Sequence, residues 1–138
     1  MHGSFCSYLD CSHRWSCATR RLITQLTNPV AQYSHFDGLA VIGGFVYRGT
    51  LAPILSGKYV CGDLAGPAGS GRLFFSNLTS GMVEEFDLAG QRDPLLGSFL
   101  KGFDQDDAGE IYVLIHSNIG PSGTGGHVLK IIEAESTP

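Results

Sequence analysis

The sequence lacks the long apolar segments that mark membrane insertion or export. None of its 138 residues belong to an apolar run of about 18, so the sequence predicts no membrane-spanning helix. The N-terminal segment has no continuous apolar core either, because polar residues separate Phe5, Tyr8 and Leu9. A signal peptide is therefore not readable, and the sequence leaves the compartment of the protein open.

Positive charge is also scarce. Nine Lys and Arg residues stand against thirteen Asp and Glu residues, for a formal net charge of −4, and no block of basic residues occurs. Proteins that bind nucleic acid carry a clustered basic patch, so this composition argues against a nucleic-acid partner. Charged residues make up only 16% of the chain and hydrophobic residues 43%, which favours a folded chain over a wholly disordered one.

The common signatures of catalysis are missing or incomplete. No Gly-x-Ser-x-Gly elbow occurs, so a serine hydrolase has no anchor in this sequence. Gly66 and Gly71 have the spacing of a phosphate-binding loop, but Arg72 replaces its lysine and Leu73 its hydroxyl residue. His35 stands alone beside aromatic residues, and we interpret it as a packing or loop residue rather than a general base.

A short acidic segment begins like a calcium-binding loop. Asp104 and Asp106 match the first and third positions of such a loop, but Ala108 occupies the fifth position. The twelfth position is Ile115, where the loop requires a bidentate glutamate. The segment is therefore predicted to be a turn that leads into a strand, and no metal ligand is assigned to it.

Residues 1–27 differ in composition from the rest of the chain. They contain Cys6, Cys11 and Cys17, whose spacing matches none of the paired cysteine motifs that usually hold zinc. The segment also has no alternating apolar pattern. We predict a poorly ordered, Cys-containing leader, in which the role of the three cysteines is open.

One triplet, Asn77-Leu78-Thr79, fits the acceptor pattern for N-glycosylation. Such triplets also arise often by chance. This one has a meaning only in a secreted eukaryotic chain, so both interpretations stay open from the sequence.

Glycine, in contrast, is abundant in the sequence. Nineteen glycines in 138 residues indicate many turns and few long helices. Between the turn residues, short β-rich runs follow one another at intervals of roughly a dozen residues, which predicts an all-β sandwich, barrel or propeller. The predicted strands are residues 40–49, 57–63, 72–75, 82–88, 95–103, 110–115 and 127–132.

A series of segments, taken together, resembles a known family. The segments are, in chain order, Pro29–His35, Val41–Gly49, Gly57–Asp63, Gly71–Leu73, Asp106–Leu114 and Gly126–Ile131. They are similar to the C-terminal portion of the glucose/sorbosone dehydrogenase family, the soluble quinoprotein sugar dehydrogenases. The resemblance extends from about residue 28 to residue 133, and the ordered series is more specific than any one of its motifs.

The resemblance implies a six-bladed β-propeller of antiparallel four-stranded blades, of which this chain would hold about two. Residues 28–138 would then be the C-terminal blades of a longer propeller, inactive without the missing N-terminal blades. The implied parent reaction is oxidation of a sugar hydroxyl by pyrroloquinoline quinone (PQQ), with Ca²⁺ in the complete fold. The family also implies a periplasmic or secreted location.

Two arginines correspond to basic positions of the family. Arg48, in the Tyr-Arg-Gly segment, would contact the anionic quinone, since a guanidinium binds carboxylates with two parallel hydrogen bonds. Arg72 corresponds to a second basic region. The alternative for Arg48 is a structural ion pair with Asp63 or Asp37. The family's histidine base and calcium ligands belong to earlier blades, so no catalytic residue is assigned.

Two other functions stay open. The first is a non-enzymatic binding propeller of the hedgehog-interacting type, whose loops contact a protein partner and hold no quinone. The second is a complete small β-domain that self-associates through unpaired edge strands.

Overall fold

The described part of the chain consists of two antiparallel β-sheets. The structure is a computed structural model that describes residues 27–66, 68–86 and 97–134. The strands are β1 (Val41–Val46), β2 (Tyr59–Asp63), β3 (Arg72–Ser76), β4 (Val83–Glu85), β5 (Phe99–Gln105), β6 (Ile111–His116) and β7 (Gly126–Lys130), with one 3₁₀ turn at Pro53–Leu55. β1 to β4 form one sheet in sequence order, and β5 to β7 form the other.

The all-β expectation is confirmed, and each predicted strand has a counterpart. The glycine pair in β1 produces the expected irregularity, because the register with β2 shifts between Ile42 and Phe45. β5 extends to Gln105 instead of ending at Phe103, since pairing with Ile111 continues to the turn. The two sheets do not form a closed ring within the described ranges. The predicted leader lies almost wholly outside them, in residues 1–26.

The core follows from alternation along the strands. In β6, Ile111, Val113 and Ile115 are buried, while the residues between them are half-buried. Successive side chains of a strand point to opposite faces, so one face of β6 contributes every second residue to the core. Burying an aliphatic side chain of this size stabilises a fold by roughly 1.5–3 kcal/mol. The core therefore lies against this face of the second sheet.

Two glycines let the sheets approach closely. A Cβ atom on Gly44 of β1 would lie 3.1 Å from the ring of Phe103. A Cβ atom on Gly62 of β2 would lie 2.4 Å from Cδ2 of Leu100, which is fully buried. The side chains of β5 consequently occupy space that any side chain at these glycines would need, and they pack directly on the backbone of the first sheet.

A buried carboxylate connects the sheets at one end. The Tyr47 hydroxyl, just after β1, donates a 2.6 Å hydrogen bond to Oε2 of Glu110, just before β6. The backbone N–H groups of Thr50 and Leu51 donate to Oε1 at 2.7 and 3.1 Å. The Tyr47 oxygen accepts a 2.7 Å bond from the Ala52 N–H. Tyr47 is 0% and Glu110 3% exposed, so protein donors replace water around both groups.

These donors stabilise the ionised form of Glu110. The hydrogen bond from Tyr47 is the largest cause that lowers its pKa, and the Thr50 and Leu51 N–H groups lower it further, against the opposing effect of desolvation. Because the pKa is lower in the folded chain than in the unfolded chain, the ionised carboxylate adds stability above the ordinary glutamate pKa. That contribution is lost as the pH falls through the folded-state pKa.

We expect Tyr47→Phe to lower the free energy of unfolding by about 1–3 kcal/mol, since it leaves a buried carboxylate oxygen and the Ala52 N–H without their partner. Urea unfolding followed by circular dichroism measures the change. Tyr112→Phe is the matched control, because its hydroxyl bonds the half-buried Asp106, which water can reach. Equal losses in the two variants would contradict the role given to Glu110.

The pH dependence of stability tests the same carboxylate. We expect the free energy of unfolding of the native chain to fall between about pH 5 and pH 3, around the ordinary glutamate pKa. Glu110→Gln should be less stable at neutral pH and show a shallower acid slope. Some slope should remain, because hydrogen bonds also lower the pKa of Asp106. Parallel slopes in urea titrations at each pH would contradict the assignment.

Candidate functional site

A second buried carboxylate lies at the opposite end of the first sheet. Asp63, the last residue of β2, is fully buried. Its Oδ2 accepts a 2.5 Å hydrogen bond from the Tyr33 hydroxyl. Its Oδ1 accepts from the N–H groups of Leu39, Ala40 and Ala65 at 2.9, 3.2 and 3.0 Å. Asp63 therefore fixes both ends of residues 33–39, which we call the Tyr33 loop.

The Tyr33 side chain is held as a neutral donor. Desolvation is the largest cause that raises the pKa of its hydroxyl, and the hydrogen bond to Asp63 raises it further. The ring packs against Phe74 of β3, with ring centroids 5.5 Å apart and planes inclined by 52°. The loop is thus attached to the sheet by an apolar contact and a hydrogen bond from the same side chain.

The tip of the Tyr33 loop is a tight turn that exposes an aromatic ring. The Asp37 N–H donates to the Ser34 carbonyl at 2.9 Å, and the Phe36 N–H donates to the Ser34 hydroxyl oxygen at 3.1 Å. This geometry leaves the Phe36 side chain 94% exposed. Leu39 and Val41 are exposed beside it. We call these three side chains, Phe36, Leu39 and Val41, the Phe36 surface.

Two open clefts adjoin the Phe36 surface. One, of about 260 Å³, is lined by Tyr33, His35, Val41 and Asp63, among others. The other, of about 340 Å³, lies between the loop and Phe99 of β5. His35 is exposed in the turn, which confirms its interpretation as a loop residue. No hydrogen bond or ion pair from another described residue orients its ring.

Arg72 is occupied by structural contacts. Its Nε and Nη2 atoms donate to the two carboxylate oxygens of Glu85 on β4 at 2.7 and 2.5 Å. Its Nη1 donates to the backbone carbonyl of Asp37, and the guanidinium lies 4.8 Å from the centroid of the Phe74 ring. The hydrogen bond to Glu85 is the largest cause that raises the pKa of Arg72. This arginine therefore links the Tyr33 loop to β3 and β4.

Arg48 lies at the far end of the first sheet from Arg72. Its backbone N–H donates to the Gly109 carbonyl at 3.3 Å, and its side chain is exposed. The structure contains no ion pair of Arg48 with Asp63 or Asp37. The two arginines lie at opposite ends of β1. Arg72 pairs with Asp63, which in turn pairs with the first residue of β1, whereas Arg48 comes shortly after the last residue of β1. At about 3.3 Å per residue, the six-residue strand spans roughly 16 Å or more.

The acidic segment before β6 is the predicted turn. Asp106 Oδ1 accepts hydrogen bonds from the Ala108 and Glu110 N–H groups at 3.0 and 2.9 Å. Its Oδ2 accepts from the Tyr112 hydroxyl at 3.1 Å and lies 3.6 Å from the Lys130 Nζ. Both oxygens are engaged by the turn and the adjoining strands, so this carboxylate positions the start of β6.

The sequence reasoning missed the two buried carboxylates. Asp63 and Glu110 border apolar strands, and an acid at the edge of an apolar run was the available signal. Tyr33 lies 30 residues from Asp63 in the chain, and Tyr47 lies 63 residues from Glu110. No local sequence pattern connects partners that are so far apart. The structure brings each carboxylate together with one tyrosine hydroxyl and several backbone N–H groups.

Comparison with known proteins gives one informative similarity. No family model matches the chain. The Hedgehog-interacting proteins of Mus musculus and Homo sapiens are each 31% identical to it over 105 residues, which is 74% of this chain. The chain spans only 15% of the length of these curated relatives.

This similarity corrects the family expected from the sequence. The matches are Hedgehog-interacting proteins, and nothing in the comparisons points to a PQQ-dependent sugar dehydrogenase. The assignment to the glucose/sorbosone dehydrogenase family is wrong, and with it the description of the chain as part of a quinoprotein oxidoreductase. A sugar substrate has no support. The contacts of Arg48 and Arg72 with a cofactor, and Ca²⁺ in the complete fold, stay untested predictions.

The attachment of the Tyr33 loop can be tested at Gly38. A Cβ atom there would lie 2.2 Å from Oδ2 of Asp63 and 2.8 Å from the Tyr33 ring. We expect Gly38→Ala to displace the loop and to speed hydrogen exchange at the Ala40 amide by about tenfold or more, since its acceptor moves. The Leu39 amide should respond less, because it also donates to the Ala65 carbonyl. Gly120→Ala is the control, because a Cβ there meets nothing within 4 Å. Unchanged exchange in Gly38→Ala would contradict the attachment.

Proposed function

We propose that this chain is part of a non-enzymatic β-propeller that binds a protein partner. The observation that carries the proposal is the 31% identity with Hedgehog-interacting proteins over 105 residues. The name of those relatives describes a protein that interacts with Hedgehog. A Hedgehog protein is accordingly the first partner that we propose for the longer protein to which this chain would belong.

The sheet arrangement supports propeller blades. A propeller blade is a four-stranded antiparallel sheet, and neighbouring blades pack face to face around a central axis. The first sheet has this strand number and runs β1-β2-β3-β4. The second contributes three strands, and its first strand, β5, packs on β1 and β2. We infer that the sheets are two adjacent blades, with β1 and β5 nearest the axis.

The use of the acidic side chains favours binding over catalysis. Catalytic acids and bases must face a substrate with an exchangeable proton. The carboxylates of Asp63 and Glu110 instead accept hydrogen bonds from tyrosines and backbone N–H groups of their own chain. Arg72 is similarly bonded to Glu85. These groups fix loops in place, which is what a preorganised binding surface requires.

The Phe36 surface is the contact region that we propose. Interface energy concentrates in a few aromatic and large side chains that become buried in a partner's pocket. Phe36 is 94% exposed at the tip of a loop that Asp63 and Arg72 hold in one conformation. Little conformational entropy would be lost when this loop meets a partner, so most of the contact energy would appear as affinity.

Within the described ranges, no helix has the length and apolar character needed to cross a membrane. We propose that the protein acts outside the cell, where a Hedgehog protein would meet it. A secreted location is compatible with the similarity to Hedgehog-interacting proteins.

Binding can be measured on a biosensor that carries the immobilised 138-residue chain. We expect a purified Hedgehog protein to bind, and Phe36→Ala to raise Kd by about tenfold or more, since removing a central aromatic contact typically costs over 1.4 kcal/mol. The matched control is Ile54→Ala. Ile54 is also an exposed apolar residue, but it lies in the 3₁₀ turn beyond the other end of β1.

Two results would count against the proposal. If the folded native chain binds no Hedgehog protein, this part of the protein does not carry the contact surface for that partner. If Phe36→Ala and Ile54→Ala weaken binding equally, the contact does not centre on the Tyr33 loop. Circular dichroism of each variant establishes that the sheets remain folded.

A further inference from the structure

The turn between β3 and β4 contains the one Asn-x-Ser/Thr triplet of the sequence, Asn77-Leu78-Thr79. The last paired residues of the two strands are Ser76 and Val83, so the triplet lies beyond the ladder. All of residues 77–80 are exposed. A large group attached at Asn77 would therefore extend into solvent without displacing a strand.

The side chain of Asn77 has a defined orientation in this turn. Its Oδ1 accepts a 2.9 Å hydrogen bond from the Thr79 N–H, and its backbone carbonyl accepts from Ser80 and Gly81 at 3.1 and 2.9 Å. Gly81 has a φ of +69°, which allows the chain to reverse immediately after the triplet. With Oδ1 directed at the backbone, the Nδ2 group has no hydrogen-bond partner among the described residues.

An exposed apolar group surrounds the same turn. Leu78 is 46% and Met82 62% exposed, and the Val30 backbone lies against Gly81 with its side chain also exposed. Singly exposed apolar residues are common and do not by themselves mark a contact surface. A hydrophilic chain attached at Asn77 would extend into solvent next to these side chains.

We propose that Asn77 is an N-glycosylation site. The donor is a lipid-linked oligosaccharide pyrophosphate of the secretory pathway. The Asn77 Nδ2 forms a bond to C1 of the first sugar, and the bond from C1 to the pyrophosphate oxygen breaks. The lipid pyrophosphate leaves with that electron pair, and the amide loses one proton. The step involves no oxidation or reduction, and the Thr79 hydroxyl supplies the second recognition group of the triplet.

The proposal does not depend on partner binding by the Phe36 surface. That surface lies on the Tyr33 loop, next to Asp63 at the end of β2. The triplet follows Ser76, which pairs with Tyr59 at the start of β2, so the two features lie at opposite ends of this strand. Loss of glycosylation and loss of Hedgehog binding would therefore be separate results. The proposal does require that the chain passes through the secretory pathway of a eukaryotic cell.

The experiment is expression of the full chain behind an appended secretion signal in cultured animal cells. The secreted protein is treated with peptide N-glycosidase in ¹⁸O-labelled water. We expect one discrete loss of mass and an ¹⁸O-labelled aspartate at position 77. Asn77→Gln and Thr79→Ala should abolish the modification, and Thr79→Ser should retain it. Asn118→Gln is the matched control, because Asn118 is exposed but has no hydroxyl residue two positions later.

A native chain that is secreted without a glycan would overturn the proposal, and so would a glycan that persists in Asn77→Gln. If Asn77→Gln is not secreted, Thr79→Ala and Thr79→Ser decide, because both keep the asparagine and its turn. The same ¹⁸O label is then sought in the protein purified from its natural source. Its absence there would also overturn the assignment.

Discussion

The described structure depends on the burial of one charged group, the carboxylate of Glu110. An ionised carboxylate without partners is very costly to remove from water, and Tyr47 with the Thr50 and Leu51 N–H groups supplies the compensation. The same carboxylate explains the glycine after Arg48. A Cβ on Gly49 would lie 2.4 Å from the Glu110 carboxylate, so only glycine lets the chain pass. One acidic residue thereby fixes a turn and joins two sheets.

Asp63 repeats this solution at the other end of the first sheet. Tyr33 supplies the hydroxyl there, the following backbone supplies N–H groups, and Gly38 leaves space for the carboxylate. In both places a tyrosine brings a distant segment to a buried acid. The ends of a sheet are usually its most mobile parts, but here each end is closed by several charge-assisted hydrogen bonds. The exposed Phe36 consequently lies on a loop that is hydrogen-bonded to the sheet at both ends.

The sequence predicted the strands well because alternation and turn residues are local signals, and β6 with the acidic turn before it is an example. It did not predict the tyrosine–carboxylate contacts, because they join residues far apart in the chain. The incorrect family prediction has the same cause. Tyr47 and Gly49 were assigned to a sugar dehydrogenase pattern around Arg48, but the structure explains both by the needs of Glu110. Residues that a fold needs for structural reasons do not identify the reaction or the ligand of the protein.

The bare backbone at Gly44 and Gly62 has a consequence for the substitutions that the contact between the sheets tolerates. The first sheet presents no side chain at these points, so Leu100 and Phe103 of β5 lie directly on its backbone. A backbone cannot change rotamer to make room, and added bulk in a well-packed core is destabilising. Larger side chains at these two positions of β5 would therefore have to displace the first sheet itself.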